Sequence, residues 1–228
     1  MHTIEYEAKV LGIDPDAMAE RIKAAGGIFQ GERLMRRYVY DTVPPVRGRW
    51  VRLRDSGGAV TLCVKTISSD EIDGTRETET TVGSFDDTHA LLGLMGLTHR
   101  SYQENRRSSW LLDGVRLEID AWPGIPPYLE IEGDDEDQVW AAADRLAILR
   151  ADLTSENTTK VFARYGIDLD SIDDLRFGWT SRPRADGLRP GTRRPGGDHD
   201  QHRNRHRRGH EGLTRHGGAR PDPARQDH

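Results

Sequence analysis

Charged side chains at every second position mark several short segments of the sequence, and this spacing places them on one face of a β-strand. Glu5, Glu7 and Lys9 alternate with apolar residues between Ile4 and Val10. The same alternation is found at Arg52, Arg54, Lys65, Glu77, Glu79, Arg116, Glu118, Asp120, Glu130 and Glu132. Acidic and basic residues therefore both occupy the non-apolar faces of the predicted strands, and residues of the same sign often lie together on one strand.

The two kinds of charge suit a polyanion that is bound together with a metal ion. Arginine and lysine attract a polyphosphate, but carboxylates beside them repel it unless a cation lies between. Hard divalent ions such as Mg²⁺ bind carboxylate oxygens together with phosphate oxygens of a substrate. The sequence contains no G-x-x-x-x-G-K-[ST] loop, so side chains must hold the phosphates. A lone Glu-x-Glu pair is equally typical of a solvent-exposed strand face, so the prediction depends on the whole set.

About eight strands, joined mostly by short turns, must position these residues. We predict strands over residues 4–10, 34–41, 49–55, 60–66, 76–82, 98–112, 115–121 and 128–132. We predict helices over residues 14–25, 86–95, 135–149 and 156–165. This element order predicts an α+β fold, an eight-stranded antiparallel β-barrel with helices packed outside. If the apolar strand faces pack against the helices, the charged faces line the inside of the barrel.

The last part of the chain has a different composition from the rest. The whole sequence of 228 residues carries a net charge of −5, but residues 180–228 contain 12 Arg and 6 acidic residues, a net charge of +6. Large apolar residues are almost absent from this segment, so we predict a domain over residues 1–175 and a disordered tail rich in Arg, Gly, Pro and His over residues 176–228. The tail could bind phosphate, nucleic acid or metal, or be an extension without function.

A single cysteine, Cys63, excludes a disulfide framework and suits a reducing compartment. The first ten residues do not resemble a signal peptide, and no apolar run reaches the roughly 18–20 residues that span a bilayer. We therefore expect a cytoplasmic protein that acts on a small molecule, without a membrane or nucleic-acid partner, as a monomer or homodimer.

The first strand resembles the E-x-E-x-K signature that opens the CYTH domain of the triphosphate tunnel metalloenzyme superfamily. In the same order along the chain, Arg52-Leu53-Arg54 resembles the R-x-R strand of that family. Other matching residues are Lys65, Glu77, Glu79, Arg107, Asp120, Glu130, Glu132 and the segment Tyr165-Gly166-Ile167-Asp168. The resemblance covers roughly residues 3–170. It implies a triphosphate tunnel that binds its substrate with a divalent metal.

Two positions depart from the family pattern. Asn105 lies where a lysine of the K-x-R strand is common, and Lys160 follows Thr158-Thr159 where the family often has a serine followed by a tyrosine. One basic contact with the phosphates is therefore lost or supplied by another residue. Activities known in the family are tripolyphosphatase, thiamine triphosphatase, RNA triphosphatase and class IV adenylyl cyclase.

The resemblance implies a role for each matching residue. Phosphates are expected to contact Lys9, Arg52, Arg54, Lys65 and Arg107. Mg²⁺ or Mn²⁺ is expected to bind Glu5, Glu7, Asp120, Glu130 and Glu132. The catalytic residues are expected to be Lys9, Glu77 and Glu79, with Glu77 and Glu79 positioning a second ion or the attacking water. Arg116 and Glu118 are expected to pair with each other inside the tunnel.

The first of three functional hypotheses is metal-dependent hydrolysis of an inorganic or organic triphosphate. The second is a class IV-type adenylyl cyclase, in which the ribose 3′-hydroxyl attacks the α-phosphorus of ATP and pyrophosphate leaves. The third is a polyphosphate- or nucleotide-binding module without catalysis, which the asparagine at position 105 favours. All three use the same cradle for a metal and a triphosphate.

Overall fold

The structure is a computed structural model that describes residues 3–180. The predicted disordered tail lies outside the described residues except for residues 176–180. Within this short segment, Trp179 is half-buried and packs with Trp122 and Phe162. No helix among residues 3–180 is long and apolar enough to cross a membrane.

Eight long strands form a closed antiparallel barrel, which confirms the predicted fold. The strands are β1 Thr3–Leu11, β2 Ile28–Asp41, β3 Arg49–Asp55, β4 Val60–Ile67, β5 Thr75–Val82, β6 His99–Leu112, β7 Val115–Ala121 and β8 Tyr128–Gly133. Around the barrel the order is β6, β2, β3, β4, β5, β1, β8 and β7, and β7 pairs with β6 to close the ring. Closure leaves every one of these strands with two neighbours, so the inward-facing side chains surround a common space.

Two short strands and a longer β2 were not predicted. Strand β9 (Leu153–Thr154) pairs with β1, and β10 (Asp174–Leu175) runs parallel to β6. Strand β2 begins six residues earlier than predicted because its first residues pair with the second half of β6, from Ile28 opposite Leu111. A register shift follows between Phe29 and Gly31, where Gly31 has a φ of +129°.

Four helices pack outside the barrel: α1 Pro15–Ala24, α2 Phe85–Leu94, α3 Glu136–Arg145 and α4 Thr158–Arg164. Asp14 caps α1 by accepting hydrogen bonds from the backbone N–H groups of residues 16 and 17. Asp135 caps α3 in the same way through the N–H of Gln138. The caps fix where each helix begins and therefore which of its faces meets the barrel.

The largest apolar core lies between the outer faces of β1, β7 and β8 and the helices α1 and α3. Its fully buried members include Ala8, Ile22, Leu117, Ile131 and Val139. Because apolar residues of these strands face the helices, the alternate residues face the inside of the barrel. The apolar residues of the alternating strands thus lie on the outside of the barrel, and the charged residues lie on its inside.

Candidate active site

The barrel encloses a cavity of about 690 Å³, a size common among small-molecule sites. All of the predicted site residues except Asp120 line it. They are Glu5, Glu7, Lys9, Arg52, Arg54, Lys65, Glu77, Glu79, Arg107, Glu130 and Glu132. The inward alternation of eight strands therefore brings together residues that are up to 127 positions apart in the chain.

Four carboxylates from β1 and β8 form what we call the glutamate face, made of Glu5, Glu7, Glu130 and Glu132. Glu7 lies opposite Glu132 in the antiparallel pairing of the two strands, and Lys9 lies opposite Glu130. Lys9 is 1% exposed, and its Nζ lies 2.9 Å from Glu7 Oε1 and 3.3 Å from Glu130 Oε2. Burial alone disfavours the ammonium ion, but the two glutamates outweigh burial and raise the pKa of Lys9.

Lys65 joins the glutamate face to β5. Its Nζ lies 2.7 Å from Glu5 Oε2 and 2.8 Å from Glu77 Oε2. Burial, together with a hydrogen bond to Glu77, raises the pKa of Glu5 to about 8. Burial also disfavours the Glu77 carboxylate, but the hydrogen bond from Glu5 and the charges of Arg52 and Lys65 lower the pKa of Glu77. The pKa values of the two carboxyl groups are thus shifted in opposite directions, up for Glu5 and down for Glu77.

Two arginines of β3 face the carboxylates of β5. Arg52 Nη2 lies 2.9 Å from Glu77 Oε1 and 3.4 Å from Glu79 Oε2, and Arg54 Nη2 lies 3.4 Å from Glu79 Oε2. The Nε atoms of both arginines are buried and have no hydrogen-bond partner among the described residues. The ion pairs of these residues use only Nη2, and a guanidinium has five N–H donors, so Nη donors remain for a ligand in the cavity.

Arg107 on β6 is held by Asp120, its partner across the β6–β7 pairing. Its Nε lies 2.8 Å from Asp120 Oδ1 and its Nη2 lies 2.6 Å from Asp120 Oδ2. Asp120 is fully buried and also accepts a hydrogen bond of 2.8 Å from Asn105 Nδ2. Burial disfavours the charge on Arg107, yet Asp120 and Glu130 raise its pKa well above the usual value. Asp120 thus lies behind Arg107 instead of facing the cavity.

The sequence analysis missed Arg37, which lies on β2 between β3 and β6 and lines the cavity. Only 8% of this residue is exposed, and its guanidinium donates a hydrogen bond to Asn105 Oδ1. The available signal was the Arg36-Arg37 pair inside a predicted strand, since alternation must turn one of the two inward. Arg37, Arg52, Arg54 and Arg107 come from the adjacent strands β6, β2 and β3, and we call them the arginine face.

The β7 side of the cavity differs from the prediction. Arg116 pairs with Glu132 of the neighbouring strand β8, not with Glu118. Glu118 instead accepts a hydrogen bond of 2.6 Å from Ser109 Oγ and lies 3.9 Å from Arg107 Nε. Burial raises the pKa of Glu118, because Arg107 and Ser109 only partly offset the loss of solvent.

The glutamate face offers the carboxylate oxygens that a hard divalent cation prefers. In the described structure each of these carboxylates forms an ion pair: Glu5 with Lys65, Glu7 and Glu130 with Lys9, and Glu132 with Arg116. Another group, Cys63, Glu77 and Glu79, has one potential ligand atom per residue within 4.8 Å of the others. Burial raises the pKa of the Cys63 thiol to about 12, so this group offers a protonated sulfur at neutral pH. Oxygen ligands suit Mg²⁺ and Mn²⁺ better than a thiol does, which favours the glutamate face.

Comparisons with known proteins agree with this geometry. Residues 3–162 match the family described as the CYTH domain. No curated protein matches the sequence. Among solved structures, the PH1012 protein from Pyrococcus horikoshii OT3 has 18% identity and a TM-score of 0.59, over 68% of this chain and 96% of that one.

A proposed adenylate cyclase from Vibrio parahaemolyticus is also similar, with 20% identity and a TM-score of 0.59. The similarity covers 71% of this chain and 98% of the Vibrio chain. At these identities the two structures show a shared fold. The family match extends over more than half of the sequence and spans all eight barrel strands. The chain therefore belongs to the CYTH domain family.

Proposed function

We propose that the protein hydrolyses a triphosphate with the help of a divalent cation. One observation carries this proposal: the arginine face and the glutamate face line one enclosed cavity, and they meet where Arg107 Nη2 lies 3.2 Å from Glu130 Oε1. In the ring of eight strands, β2 lies four strands away from β1 in either direction. A bound metal–triphosphate complex presents anionic oxygens to one side and a cation to the other, so its charge distribution matches both faces.

Phosphate oxygens are bound by Arg52, Arg54, Lys65 and Arg107 in this proposal. Guanidinium groups bind phosphate with two parallel donors, and the ion pairs of Arg52 and Arg54 with Glu77 and Glu79 use only Nη2. Because these donors are fixed before the substrate arrives, they stabilise charge that develops on the phosphoryl oxygens without reorganising. Lys9 is almost fully buried between Glu7 and Glu130, so its part is to neutralise these carboxylates and fix their positions.

The glutamate face holds Mg²⁺ or Mn²⁺ in this proposal, through Glu5, Glu7, Glu130 and Glu132. When bound, such an ion neutralises phosphate charge and lowers the pKa of water. Asp120 has both oxygens engaged by Arg107 and Asn105, so we propose that it positions Arg107 instead of binding the ion.

Glu77 and Glu79 remain our candidates for orienting the attacking water. Glu77 is kept ionised by its hydrogen bond with Glu5 and by Arg52 and Lys65, and an ionised carboxylate accepts a hydrogen bond from water. Glu79 is more accessible, with 34% of its side chain exposed, and lies beside Arg52 and Arg54. Both carboxylates therefore adjoin the guanidinium groups that would hold the phosphates.

A product-resolved assay tests this function against its alternatives. The full chain is incubated with tripolyphosphate, ATP or thiamine triphosphate in Mg²⁺ or Mn²⁺. Orthophosphate released together with pyrophosphate, ADP or thiamine diphosphate supports hydrolysis. Cyclic AMP plus pyrophosphate from ATP would assign the chain as a cyclase. Binding without turnover in Mg²⁺, Mn²⁺ and Co²⁺ would assign it as a binding module, and either result would overturn the hydrolase proposal.

A further inference from the structure

Arg37 is a buried cation without an acidic partner. Among residues 3–180, it is the member of the arginine face that forms no ion pair, whereas Arg52, Arg54 and Arg107 each contact at least one carboxylate. Its Nε is buried and has no hydrogen-bond partner among the described residues. A buried charge without a counter-charge is unfavourable because it has lost its hydration and gained no ion pair in exchange.

The surroundings of Arg37 make the charge more unfavourable still. Burial lowers the pKa of Arg37 to about 9, and repulsion from Arg52, Arg54 and Arg107 acts in the same direction. Arg37 lies against the ring of Trp122, with its Cζ 4.6 Å from the ring centroid. This cation–π contact offsets only a small part of the cost. Carboxylates already balance Arg52, Arg54 and Arg107, so Arg37 is the member of the arginine face whose charge an added anion would balance.

The polar contact of Arg37 fixes its direction without neutralising it. Asn105 accepts a hydrogen bond from Arg37 and donates one of 2.8 Å to Asp120. The fully buried amide therefore lies between the guanidinium and the carboxylate, and Arg37 and Asp120 form no ion pair. An aspartate at position 105 would accept the same hydrogen bond but would cancel the charge of Arg37. The neutral amide orients the guanidinium and leaves its charge available.

The geometry points to Arg37 as a phosphate-binding residue of the tunnel, positioned by Asn105. This inference rests on the proposed function, because it assigns a ligand to the same cavity. Arg37 lies at the centre of the arginine face, and its strand β2 is opposite β1, which carries Glu5 and Glu7. A triphosphate between the two faces would meet Arg37 from the side away from the cation. Asn105 cannot donate a charged hydrogen bond to a phosphate, and in this inference Arg37 on the neighbouring strand makes that contact instead.

A charge-matched pair of variants tests the assignment. Arg36 and Arg37 are consecutive residues of β2, but Arg36 points outward and pairs with Asp55 at 3.0 Å. In titration calorimetry of the full chain with tripolyphosphate in EDTA, we expect Arg37→Gln to raise the Kd about 10- to 100-fold, the effect of losing a charged hydrogen-bond donor. Arg36→Gln should change it less than about twofold. An unchanged Kd for Arg37→Gln beside a wild-type protein that binds would overturn the assignment.

Failure of the wider proposal gives a different result. If the wild-type protein binds no tripolyphosphate in EDTA, the variants are compared by their KM with Mg²⁺ and the same changes are expected. If the wild type also shows no KM, the proposed function is overturned, and the role of Arg37 with it. If the wild-type protein binds and only the Arg37 variant is unaffected, the proposed function stands and this inference falls.

Thermal unfolding separates a ligand-binding role from a structural one. Removing an unpaired buried charge relieves repulsion within the arginine face, so the ligand-free Arg37→Gln protein should have a Tm equal to or above that of the wild type. The increase in Tm caused by tripolyphosphate should be smaller in this variant. A lower Tm without ligand, together with an unchanged increase on binding, would show that Arg37 is structural and would overturn the inference.

The positioning role of Asn105 is tested by a double-mutant cycle. If Asn105 acts through Arg37, Asn105→Ala should weaken tripolyphosphate binding severalfold in the wild-type background and less than about twofold when Arg37→Gln is already present. Equal losses in both backgrounds would show that Asn105 acts through another residue, and the positioning role would be wrong.

Discussion

The guanidinium of Arg107 is bound side-on by the fully buried carboxylate of Asp120, with distances of 2.8 Å from Nε to Oδ1 and 2.6 Å from Nη2 to Oδ2. In this bidentate pair the side chain of Asp120 is 0% exposed and that of Arg107 is 16% exposed. The sequence alone does not show whether Asp120 binds a metal ion or supports a phosphate-binding arginine. The pairing with Arg107 favours the second role, and a substitution at Asp120 can distinguish the two.

We expect Asp120→Asn to lower the free energy of unfolding by about 3–5 kcal/mol, because it leaves Arg107 without its main counter-charge in a buried place. Triphosphate affinity should fall, while the affinity for Mn²⁺ without substrate should change little. Urea unfolding and metal titration measure the two effects. Asp174→Asn is the control, since it removes an exposed pair with Arg176. Lost Mn²⁺ binding with unchanged stability would instead identify Asp120 as a metal ligand.

Replacing Glu130 and Glu132 together by glutamine should reduce metal-dependent turnover at least about a hundredfold, since two ligands of the proposed cation are lost. The barrel should remain folded because Lys9 keeps Glu7 and Arg107 keeps Asp120 as partners. Turnover is measured by phosphate release and folding by circular dichroism. Glu20→Gln, on the exposed face of α1, serves as the control. If the double variant retained its turnover, the glutamate face would not be the site of the catalytic cation.

Lys9→Met should lower the free energy of unfolding by about 3–5 kcal/mol, because Glu7 and Glu130 then face each other without the buried ammonium. A divalent cation can replace the lost charge. Mg²⁺ should therefore raise the Tm of the variant more than that of the wild type. The matched control is Lys23→Met, because the Lys23 side chain is 68% exposed. This substitution should change the free energy of unfolding by less than about 1 kcal/mol. A Mg²⁺ effect equal to that in wild type would contradict this role.

Cys63 should react very slowly with thiol reagents in the folded protein. Its pKa is raised to about 12 by burial, so about one thiol in ten thousand is ionised at pH 8, and the rate should rise tenfold for each pH unit up to about pH 12. The raised pKa also means that its contribution to stability is complete below the ordinary thiol pKa of about 8.5 and is lost as the pH rises toward 12. Alkylation followed by mass spectrometry measures the rate, with the urea-unfolded chain as reference. Equal rates in both states would contradict the buried environment.

Alternation was sufficient to predict most of the tunnel. In β3 the charged Arg52 and Arg54 alternate with Val51 and Leu53, so one face is apolar and the other is charged. Such a strand can be oriented from its sequence alone. The predicted barrel and the placement of the cavity residues follow from several strands of this kind.

Strand β2 shows why Arg37 was missed. Its inner face combines Arg37 with Met35 and Val39, and its outer face combines Arg36 with aromatic residues that pack around Phe85. Because both faces mix charge with apolar side chains, the pattern does not indicate which face is inside. Only the closed ring of strands decides this.

Contacts between distant segments account for the other differences. Asp120 shares a face with Glu118, and only its register opposite Arg107 assigns it to that arginine. His89 and His99, isolated in the sequence, have ring centroids 5.1 Å apart and both contact Tyr38. The two-residue strands β9 and β10 exist only because a longer strand offers free backbone groups beside them.

The closure of the barrel also has a kinetic consequence. Strand β1 comes first in the chain but pairs with β8, so that Lys9 meets Glu130 only after more than a hundred intervening residues have been arranged. Pairings over such separations form slowly because the loop must be closed before the contact stabilises it. We therefore expect β1 and β8 to join late in folding, and the charges of the interior to lose their hydration at that stage.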